Sequence, residues 1–207
     1  ANFTSNNDSL EIFGNPVMES WERPYMKKLA EISTLNSGNV LEIGYGLGIS
    51  ASYVQESNAN KHHIIEANEG VYKKLLDYSN DSKIKIYPYK GLWQDVVKKF
   101  ENDSFDGILY DTYPLNEDEL HTHQFDFIKK AYDLLKPNGV LTYCNFTSWG
   151  NLRKEYENNY DMFNETQSPY LNKIGFKNIK LTEIDVNPPS TCNYYQFKNI
   201  LAPEIRK

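Results

Sequence analysis

The stretch Leu41-Glu42-Ile43-Gly44-Tyr45-Gly46-Leu47-Gly48 decides the fold of this chain. Val40 to Ile43 is a short apolar run that is typical of a buried strand, and Ile49 to Gln55 can form the helix that follows the glycines. Glycines at such a strand-to-helix turn let a ligand approach the backbone closely. The turn is therefore the predicted cofactor site.

The spacing of these glycines separates the possible cofactors. The pattern is G-x-G-x-G, and the dinucleotide pattern G-x-G-x-x-G fails because position 49 is Ile. A P-loop is excluded because no Gly-Lys-Ser/Thr follows. Glu42 favours S-adenosylmethionine (SAM), since its charge can lie near the amino-acid part of SAM, directly or through water, but is poorly placed against a pyrophosphate. Glu66, at the end of the next predicted strand, is either a ribose-binding carboxylate, which SAM and NAD share, or a solvated strand end.

Strands alternate with helices on either side of this turn. Further strands are predicted at residues 63–66, 84–87, 105–110 and 139–143, with helices at 49–55 and 71–78 and an apolar helical stripe over 125–135. The tail predicts two antiparallel strands at the sheet edge, over 176–186 and 193–197. An amphipathic helical region over 17–35 has a break near Pro24. The fold class is α/β, a doubly wound, mainly parallel seven-stranded sheet with an antiparallel C-terminal edge strand.

Length and composition suit one domain, residues 1–207, with 40% hydrophobic residues and no linker. A net charge of −6 argues against a general nucleic-acid binder, because phosphate binding needs a basic surface. No apolar run approaches the roughly 20 residues that span a membrane, and the first residues lack the features of a signal peptide, so we expect a cytoplasmic protein without a membrane partner. Cys144 and Cys192 are expected to be reduced thiols.

Asp111 is the catalytic candidate that the residues themselves indicate. It follows the predicted strand 105–110, and the carboxyl ends of parallel strands face the ligand crevice. The alternative is that Asp111 caps the next turn, which Pro114 fixes. No metal is expected, because neither His62 and His63 nor His121 and His123 have the i, i+4 spacing of a helical zinc pair.

Several ordered blocks resemble the guanidinoacetate N-methyltransferase family. Besides the glycine turn, they are residues 15–26 (NPVMESWERPYM), 90–93 (KGLW), 107–115 (GILYDTYPL), 121–125 (HTHQF) and 141–150 (LTYCNFTSWG). The match runs in one register from about Ile12 to the C-terminus. The resemblance implies a Rossmann-like SAM-dependent methyltransferase that converts guanidinoacetate to creatine and releases S-adenosylhomocysteine. It implies an N-terminal helical lid at 1–36 over a catalytic core at 37–207.

The resemblance also implies the site residues. The residues expected against SAM are Met18, Met26, Tyr45, Gly46, Leu47, Gly48, Ile49, Ser50, Glu66, Ala67, Asn68, Trp93, Gln94 and Asp111. Those expected against the guanidino acceptor are Met18, Glu22, Asp111, Thr147 and Ser148. By helical spacing alone the two methionines would be core residues.

The chain departs from the family's pattern at three places. The family usually has Glu at the position of Gln94 and Thr at that of Arg23. An aromatic residue near the family's N-terminus has no counterpart in this chain. Acceptor choice or lid closure could change because of Arg23, which is next to Glu22, and because of the missing aromatic residue. Gln94 has little effect if its backbone does the binding.

Guanidinium chemistry explains why two carboxylates are expected. A guanidinium, with a pKa of roughly 12.5 to 13.8, spreads its charge over three nitrogens and is a poor nucleophile. Glu22 and Asp111 can grip two N–H edges and leave the third nitrogen richer in electrons toward the methyl group, with Asp111 as the proton acceptor.

Other functions stay open at this point. Within the same reaction class, the acceptor can be arginine, agmatine or a protein arginine in place of guanidinoacetate. A non-catalytic SAM-binding module and an NAD-dependent oxidoreductase are the alternatives from other classes. The expected partner is a small-molecule guanidino substrate with no nucleic acid, and the expected assembly is a monomer or homodimer.

Overall fold

The computed structural model describes residues 3–6, 9–12 and 15–207, with side chains for Thr4, Asn6 and residues 19–207. The strands of this part are β1 (Phe3–Ser5), β2 (Ser9–Ile12), β3 (Asn15–Glu19), β4 (Gly38–Ile43), β5 (Ala59–Glu66), β6 (Ile86–Lys90), β7 (Phe105–Tyr110), β8 (Leu135–Tyr143), β9 (Asn178–Asp185) and β10 (Asn199–Arg206). The helices are α1 (Arg23–Ser33), α2 (Ile49–Gln55), α3 (Glu69–Asn80), α4 (Trp93–Val96), α5 (His123–Leu134), α6 (Phe146–Leu152), α7 (Asn159–Thr166) and α8 (Ser168–Ile174).

The main sheet has seven strands in the order β6-β5-β4-β7-β8-β10-β9. Strands β4 to β8 pair in parallel, and β10 runs antiparallel to both of its neighbours, β8 and β9. The predicted α/β class and mainly parallel seven-stranded sheet with antiparallel C-terminal strands are confirmed. The antiparallel strand β10 lies one place inside the sheet, and β9 forms the edge.

The last strand was predicted in the wrong place, at 193–197 instead of Asn199–Arg206. Aromatic residues favour strands, and residues 193–197 contain three of them. Pro203 disfavours a strand at Asn199–Arg206, so strand propensity favoured the wrong segment. The aromatic side chains serve tertiary contacts instead. The hydroxyl of Tyr195 donates to the carbonyl of Asn199 at 2.6 Å, and that of Tyr194 lies against Glu19 and Glu22.

The segment before the main sheet is partly strand and partly helix. Strands β1, β2 and β3 form a small antiparallel sheet, so the helical prediction is wrong for residues 17–19 and right for α1. Pairing with β2 overrides the helical periodicity there, because residues 15–19 form an antiparallel ladder with residues 9–12. Pro24 lies in the first turn of α1, where a missing N–H costs nothing, and so begins the helix instead of breaking it.

Strand β7 shows that helices cover both faces of the sheet. A Cβ built on Gly107 would lie 1.7 Å from the backbone oxygen of Ser33, so α1 approaches one face as closely as only glycine permits. Three residues along, Tyr110 stacks on Phe127 of α5 with ring centroids 4.5 Å apart, and successive side chains alternate between faces. No helix of the described residues is long and apolar enough to cross a membrane.

The carboxyl ends of four strands meet at one edge of the sheet. The amide of Asp111 donates to Ile43 O at 3.0 Å, and the amide of Gly44 donates to Ile65 O at 2.9 Å. The amide of Cys144 donates to Tyr110 O at 3.2 Å. These bonds bring the residues that follow β4, β5, β7 and β8 together, where the switch-point rule places a ligand.

Candidate active site

The glycine turn has the backbone that its sequence predicts. Gly44, Gly46 and Gly48 have φ values of 90°, 54° and 75°, a region that glycine enters at low cost. A Cβ on Gly44 would lie 2.1 Å from the backbone oxygen of Asp111. The turn therefore abuts the catalytic candidate directly, with no room for a side chain between them.

Gly44→Ala is expected to damage both stability and cofactor binding. Backbone strain and the clash with Asp111 together should lower the free energy of unfolding by about 2–5 kcal/mol. Denaturant unfolding and SAM calorimetry measure the two effects. Gly70→Ala, in the first turn of α3, is the matched control and should stay within about 1 kcal/mol of the native protein. A Gly44→Ala protein with native stability and native SAM affinity would contradict this role for the turn.

Glu42 is fully buried, and both of its carboxylate oxygens have partners inside the fold. Oε1 accepts the hydroxyl proton of Ser50, and Oε2 lies 2.7 Å from Nε2 of His62. Nδ1 of His62 in turn lies 3.3 Å from Nε2 of Gln55. Glu42 therefore links the start of α2 to β5 beneath the turn, and its role toward SAM stays a prediction.

Glu66 links the glycine turn to the start of α3. Its Oε2 accepts the backbone N–H of Tyr45 at 2.9 Å, and its Oε1 accepts that of Asn68 at 2.7 Å. Asn68 caps α3 by accepting the backbone N–H groups of Gly70 and Val71. Each carboxylate oxygen of Glu66 keeps a second lone pair. Its role as a ribose acceptor stays a prediction.

A cavity of about 230 Å³ opens beside Glu66. Four predicted cofactor residues line it together, namely Glu66, Ala67, Trp93 and Gln94. Tyr110 and His123 also line it, as do the exposed side chains of Tyr113 and Leu115. The volume is smaller than most drug-sized sites, which suits one part of an extended cofactor that continues onto the glycine turn.

A second cavity, of about 500 Å³, lies against the turn itself. Tyr45, Gly46 and Leu47 line it together with Arg23, Asn6 and Lys74. Arg23, one of the departures from the family's pattern, therefore reaches the turn and not the sheet interior. The position places a cation beside the predicted site of the SAM amino-acid part.

The remaining predicted cofactor residues lie elsewhere. Met26 is fully buried in the main hydrophobic core, and Ile49 and Ser50 are buried at the start of α2. The side chain of Met18 falls outside the described residues. The contacts predicted for these residues stay predictions.

Glu22 is buried at the junction of the small sheet and α1, with an exposed fraction of 2%. Its Oε1 accepts the hydroxyl proton of Tyr194 at 2.6 Å and the backbone N–H of Glu19 at 3.1 Å. Burial, followed by the charge of Asp111, raises the pKa of Glu22 well above its usual value. The charge of Asp111 therefore reaches Glu22, and a cation beside the two groups would oppose this increase in pKa.

Asp111 lies directly after β7, as predicted, and its side chain is half-buried. Its Oδ1 accepts the S–H of Cys144 at 3.0 Å. Burial raises the pKa of Asp111 to about 6, and the charge of Glu42 adds to the increase while the Cys144 bond opposes it. Among the described residues, no group of three or more His, Cys, Asp or Glu side chains is arranged to hold a metal ion.

Thr147 and Ser148 lie in the first turn of α6, close behind β8. The hydroxyl oxygen of Ser148 lies 2.7 Å from Nδ1 of His121, and its backbone N–H donates to Asn145 Oδ1 at 3.3 Å. Ser148 is therefore engaged within the fold, whereas Thr147 is partly exposed. Of the predicted acceptor pair, Thr147 is the more exposed residue, and contact of either with the acceptor stays a prediction.

Sequence reasoning missed Tyr194, Cys144 and His121 as members of this site. Tyr194 was given no site role, and Cys144 was expected only to be a reduced thiol. Both contact a predicted catalytic carboxylate, Tyr194 at Glu22 and Cys144 at Asp111. Cys144 could have been predicted as a site residue, because it follows strand β8 just as Asp111 follows the adjacent strand β7. Tyr194 lies 172 residues from Glu22 along the chain, so no local pattern could have found it.

Comparison with known families agrees with this geometry. The model of the guanidinoacetate N-methyltransferase family matches residues 1–207, the whole chain. The chain belongs to this family. The cofactor of the family is SAM.

The chain is also similar to curated proteins that are named protein arginine N-methyltransferase 2. Protein arginine N-methyltransferase 2 of Candida glabrata is 33% identical over 136 residues, covering 62% of this chain and 32% of the relative. The protein of the same name from Yarrowia lipolytica is 29% identical over 198 residues, covering 91% of this chain and 40% of the relative. The chain therefore spans well under half the length of these relatives.

Solved structures similar to this family member establish the fold alone. Spermidine synthase from Thermotoga maritima superposes with a TM-score of 0.67 at 20% identity, covering 96% of this chain and 65% of that one. M. jannaschii TYW2 in complex with AdoMet gives a TM-score of 0.60 at 16% identity, covering 99% and 84%. The Rossmann-like fold expected of the guanidinoacetate N-methyltransferase family is confirmed.

Proposed function

We propose that this protein transfers a methyl group from SAM to a guanidino nitrogen, with guanidinoacetate as acceptor and creatine and S-adenosylhomocysteine as products. The observation that carries the proposal is the pair Glu22 and Asp111. Asp111 lies against the glycine turn, and its charge, after burial, adds to the raised pKa of Glu22, which supports the two carboxylates acting on one ligand. A planar cation with N–H groups along its edges relieves that repulsion and satisfies both carboxylates.

The two carboxylates orient the acceptor in this proposal. Glu22 and Asp111 accept N–H groups from two edges of the guanidinium, which concentrates positive charge on the gripped nitrogens. The third nitrogen keeps more of its lone pair and becomes the nucleophile. SAM, when bound, supplies the methyl group on a sulfonium. The main contribution of the protein to the rate is then to hold the nucleophile at a fixed place beside the turn.

Asp111 takes up the proton in this proposal. As the new nitrogen–carbon bond forms and the carbon–sulfur bond breaks, the attacking nitrogen loses one proton to a carboxylate oxygen of Asp111. Its pKa of about 6 leaves it ionised at neutral pH and able to accept that proton. The S–H of Cys144, donated to Oδ1, holds the carboxylate in one orientation.

The rate should therefore rise with pH on the acid side. At pH 5 the carboxyl of Asp111, with its pKa of about 6, is mostly neutral, and at pH 7 it is mostly ionised. Acceptor binding and proton transfer both need the ionised form, so kcat/KM should increase about fivefold from pH 5 to pH 6 and rise further toward pH 7. Steady-state rates between pH 5 and 8 measure this. A flat profile below pH 6 would contradict the role of Asp111.

A protein arginine is the second candidate acceptor, and the names of the curated relatives favour it. Ser148, one of the two α6 residues predicted against the guanidino acceptor, is also already in contact with His121. Comparison of kcat/KM for guanidinoacetate with that for an arginine-containing peptide decides between them. A higher value for the peptide would overturn guanidinoacetate as the acceptor and leave guanidino methylation in place.

A further inference from the structure

Arg23 is a cation at a position where the family usually has threonine, and it lies against the glycine turn. It is the first residue of α1, it is exposed, and it lines the cavity of about 500 Å³ together with residues 45–47. Lys28 of the same helix pairs with Glu31 at 3.8 Å, whereas Arg23 forms no ion pair with any carboxylate of the described residues. Its guanidinium is therefore available to an anionic ligand at the turn.

The two cavities beside the turn differ in charge. The cavity of about 230 Å³ is lined by three acidic side chains, Glu66, Glu119 and Asp126. The cavity of about 500 Å³ is lined by two basic side chains, Arg23 and Lys74, and by no acidic side chain of the part of the chain that is described. A negatively charged group is therefore favoured in the second cavity and disfavoured in the first.

The glycine turn contributes to both cavities. Gly44 lines the first cavity, and residues 45–47, which follow it directly, line the second. A cofactor bound along the turn therefore extends from one cavity to the other. The adenosine part of SAM is uncharged, and Glu66 in the first cavity is the residue predicted to bind its ribose. The carboxylate of the methionine part is the anionic group of SAM, and the second cavity is the one whose charge suits it.

We propose that Arg23 binds the carboxylate of SAM, with Lys74 adding positive charge to the same cavity. The inference goes beyond the proposed function, since it concerns the cofactor and holds for any methyl acceptor. A guanidinium offers two parallel N–H groups to a carboxylate, which a threonine hydroxyl cannot do. Arg23 is then a cofactor-binding residue that this chain has in place of the family's threonine.

The surroundings of Arg23 favour a role at the cofactor over a role at the acceptor. A guanidino acceptor carries the same charge as Arg23, and like charges repel each other. The preceding residue, Glu22, is buried and bonded to Tyr194 and to the backbone of Glu19, whereas Arg23 is exposed. The two neighbours therefore differ in both charge and environment, and only Arg23 lines the cavity at the turn.

Arg23→Gln tests the proposal, because it removes the charge and keeps a polar side chain of similar reach. Calorimetry without any acceptor compares SAM with decarboxylated SAM, which keeps the sulfonium and the ammonium but lacks the carboxylate. We expect the affinity for SAM to fall about 5- to 15-fold, between the effect of an exposed ion pair and that of a hydrogen bond to a charged group. The affinity for decarboxylated SAM should stay within about twofold of native, because no carboxylate is present to be lost.

Lys27→Gln is the matched control, since Lys27 is exposed on the same helix and its ammonium lies 6.0 Å from the ring centroid of Tyr53, outside the cavity. Both of its affinities should be native. Higher salt should weaken SAM binding to the native protein more than to Arg23→Gln, because ions screen the attraction that the variant lacks. Native SAM affinity in Arg23→Gln would overturn the proposal. Equal losses for SAM and decarboxylated SAM would also overturn it, since Arg23 would then support the turn and not the carboxylate.

Discussion

Asp111→Asn is expected to lower the rate of methyl transfer about a thousandfold or more. The amide has the shape of the carboxyl group but can neither accept the proton nor stabilise the cation, and loss of a positioned base alone costs about 10²- to 10⁴-fold. The S–H of Cys144 also loses its charged acceptor, which lies 3.0 Å away. Single-turnover rates with saturating SAM and guanidinoacetate measure the effect.

The controls for Asp111 show that the site remains assembled. SAM affinity, measured by calorimetry, should change by only a few fold, because the glycine turn and Glu66 are untouched. Asp118 is an exposed residue after the same strand, and the variant Asp118→Asn should behave as the native protein does. A rate for Asp111→Asn within tenfold of native would show that another group takes the proton.

Glu22→Gln is expected to lower kcat/KM for the guanidino acceptor by about 10²- to 10³-fold. Removing one partner of a buried, hydrogen-bonded charge pair typically costs 2–5 kcal/mol, much of it from the charge left unpaired. Here the unpaired charge is the guanidinium itself, beside a carboxyl group with an exposed fraction of 2%. Steady-state kinetics over acceptor concentration separate binding from turnover.

Glu31→Gln provides the comparison for Glu22, since Glu31 is an exposed residue of the adjoining helix α1. It should leave both kinetic constants unchanged. SAM affinity should be native-like in both variants, because Glu22 is placed against the acceptor only. Unchanged acceptor kinetics in Glu22→Gln would remove the two-carboxylate clamp from the mechanism.

Local sequence patterns were sufficient for most of the sheet. The apolar run before Gly44, the strand ending at Tyr110 and the helix from Ile49 to Gln55 were each predicted at the positions that the structure shows. The N-terminal strands and β10 were not predicted correctly. The N-terminal strands pair with one another within residues 3–19, and Pro203 in β10 departs from simple strand propensity.

The site residues at the ends of strands could be predicted from the sequence. Those that reach the site through tertiary contacts could not. Asp111 and Glu66 follow from the switch-point rule, and the geometry places both at the expected edge. The role of Glu42 toward the cofactor stays a prediction, while its contacts with His62 and Ser50 were not predicted. Neither partner could be foreseen, since a strand residue's neighbours across the sheet depend on register.

The central claim is that the carboxylate pair Glu22 and Asp111 directs a methyl group from SAM to a guanidino nitrogen. The most direct measurement is incubation of the native protein with methyl-labelled SAM and, separately, guanidinoacetate, arginine, agmatine and an arginine peptide, followed by mass spectrometry of the products. We predict one labelled methyl group on a guanidino nitrogen of at least one acceptor, with one S-adenosylhomocysteine released for each. Tight SAM binding without label on any guanidino nitrogen would contradict the claim.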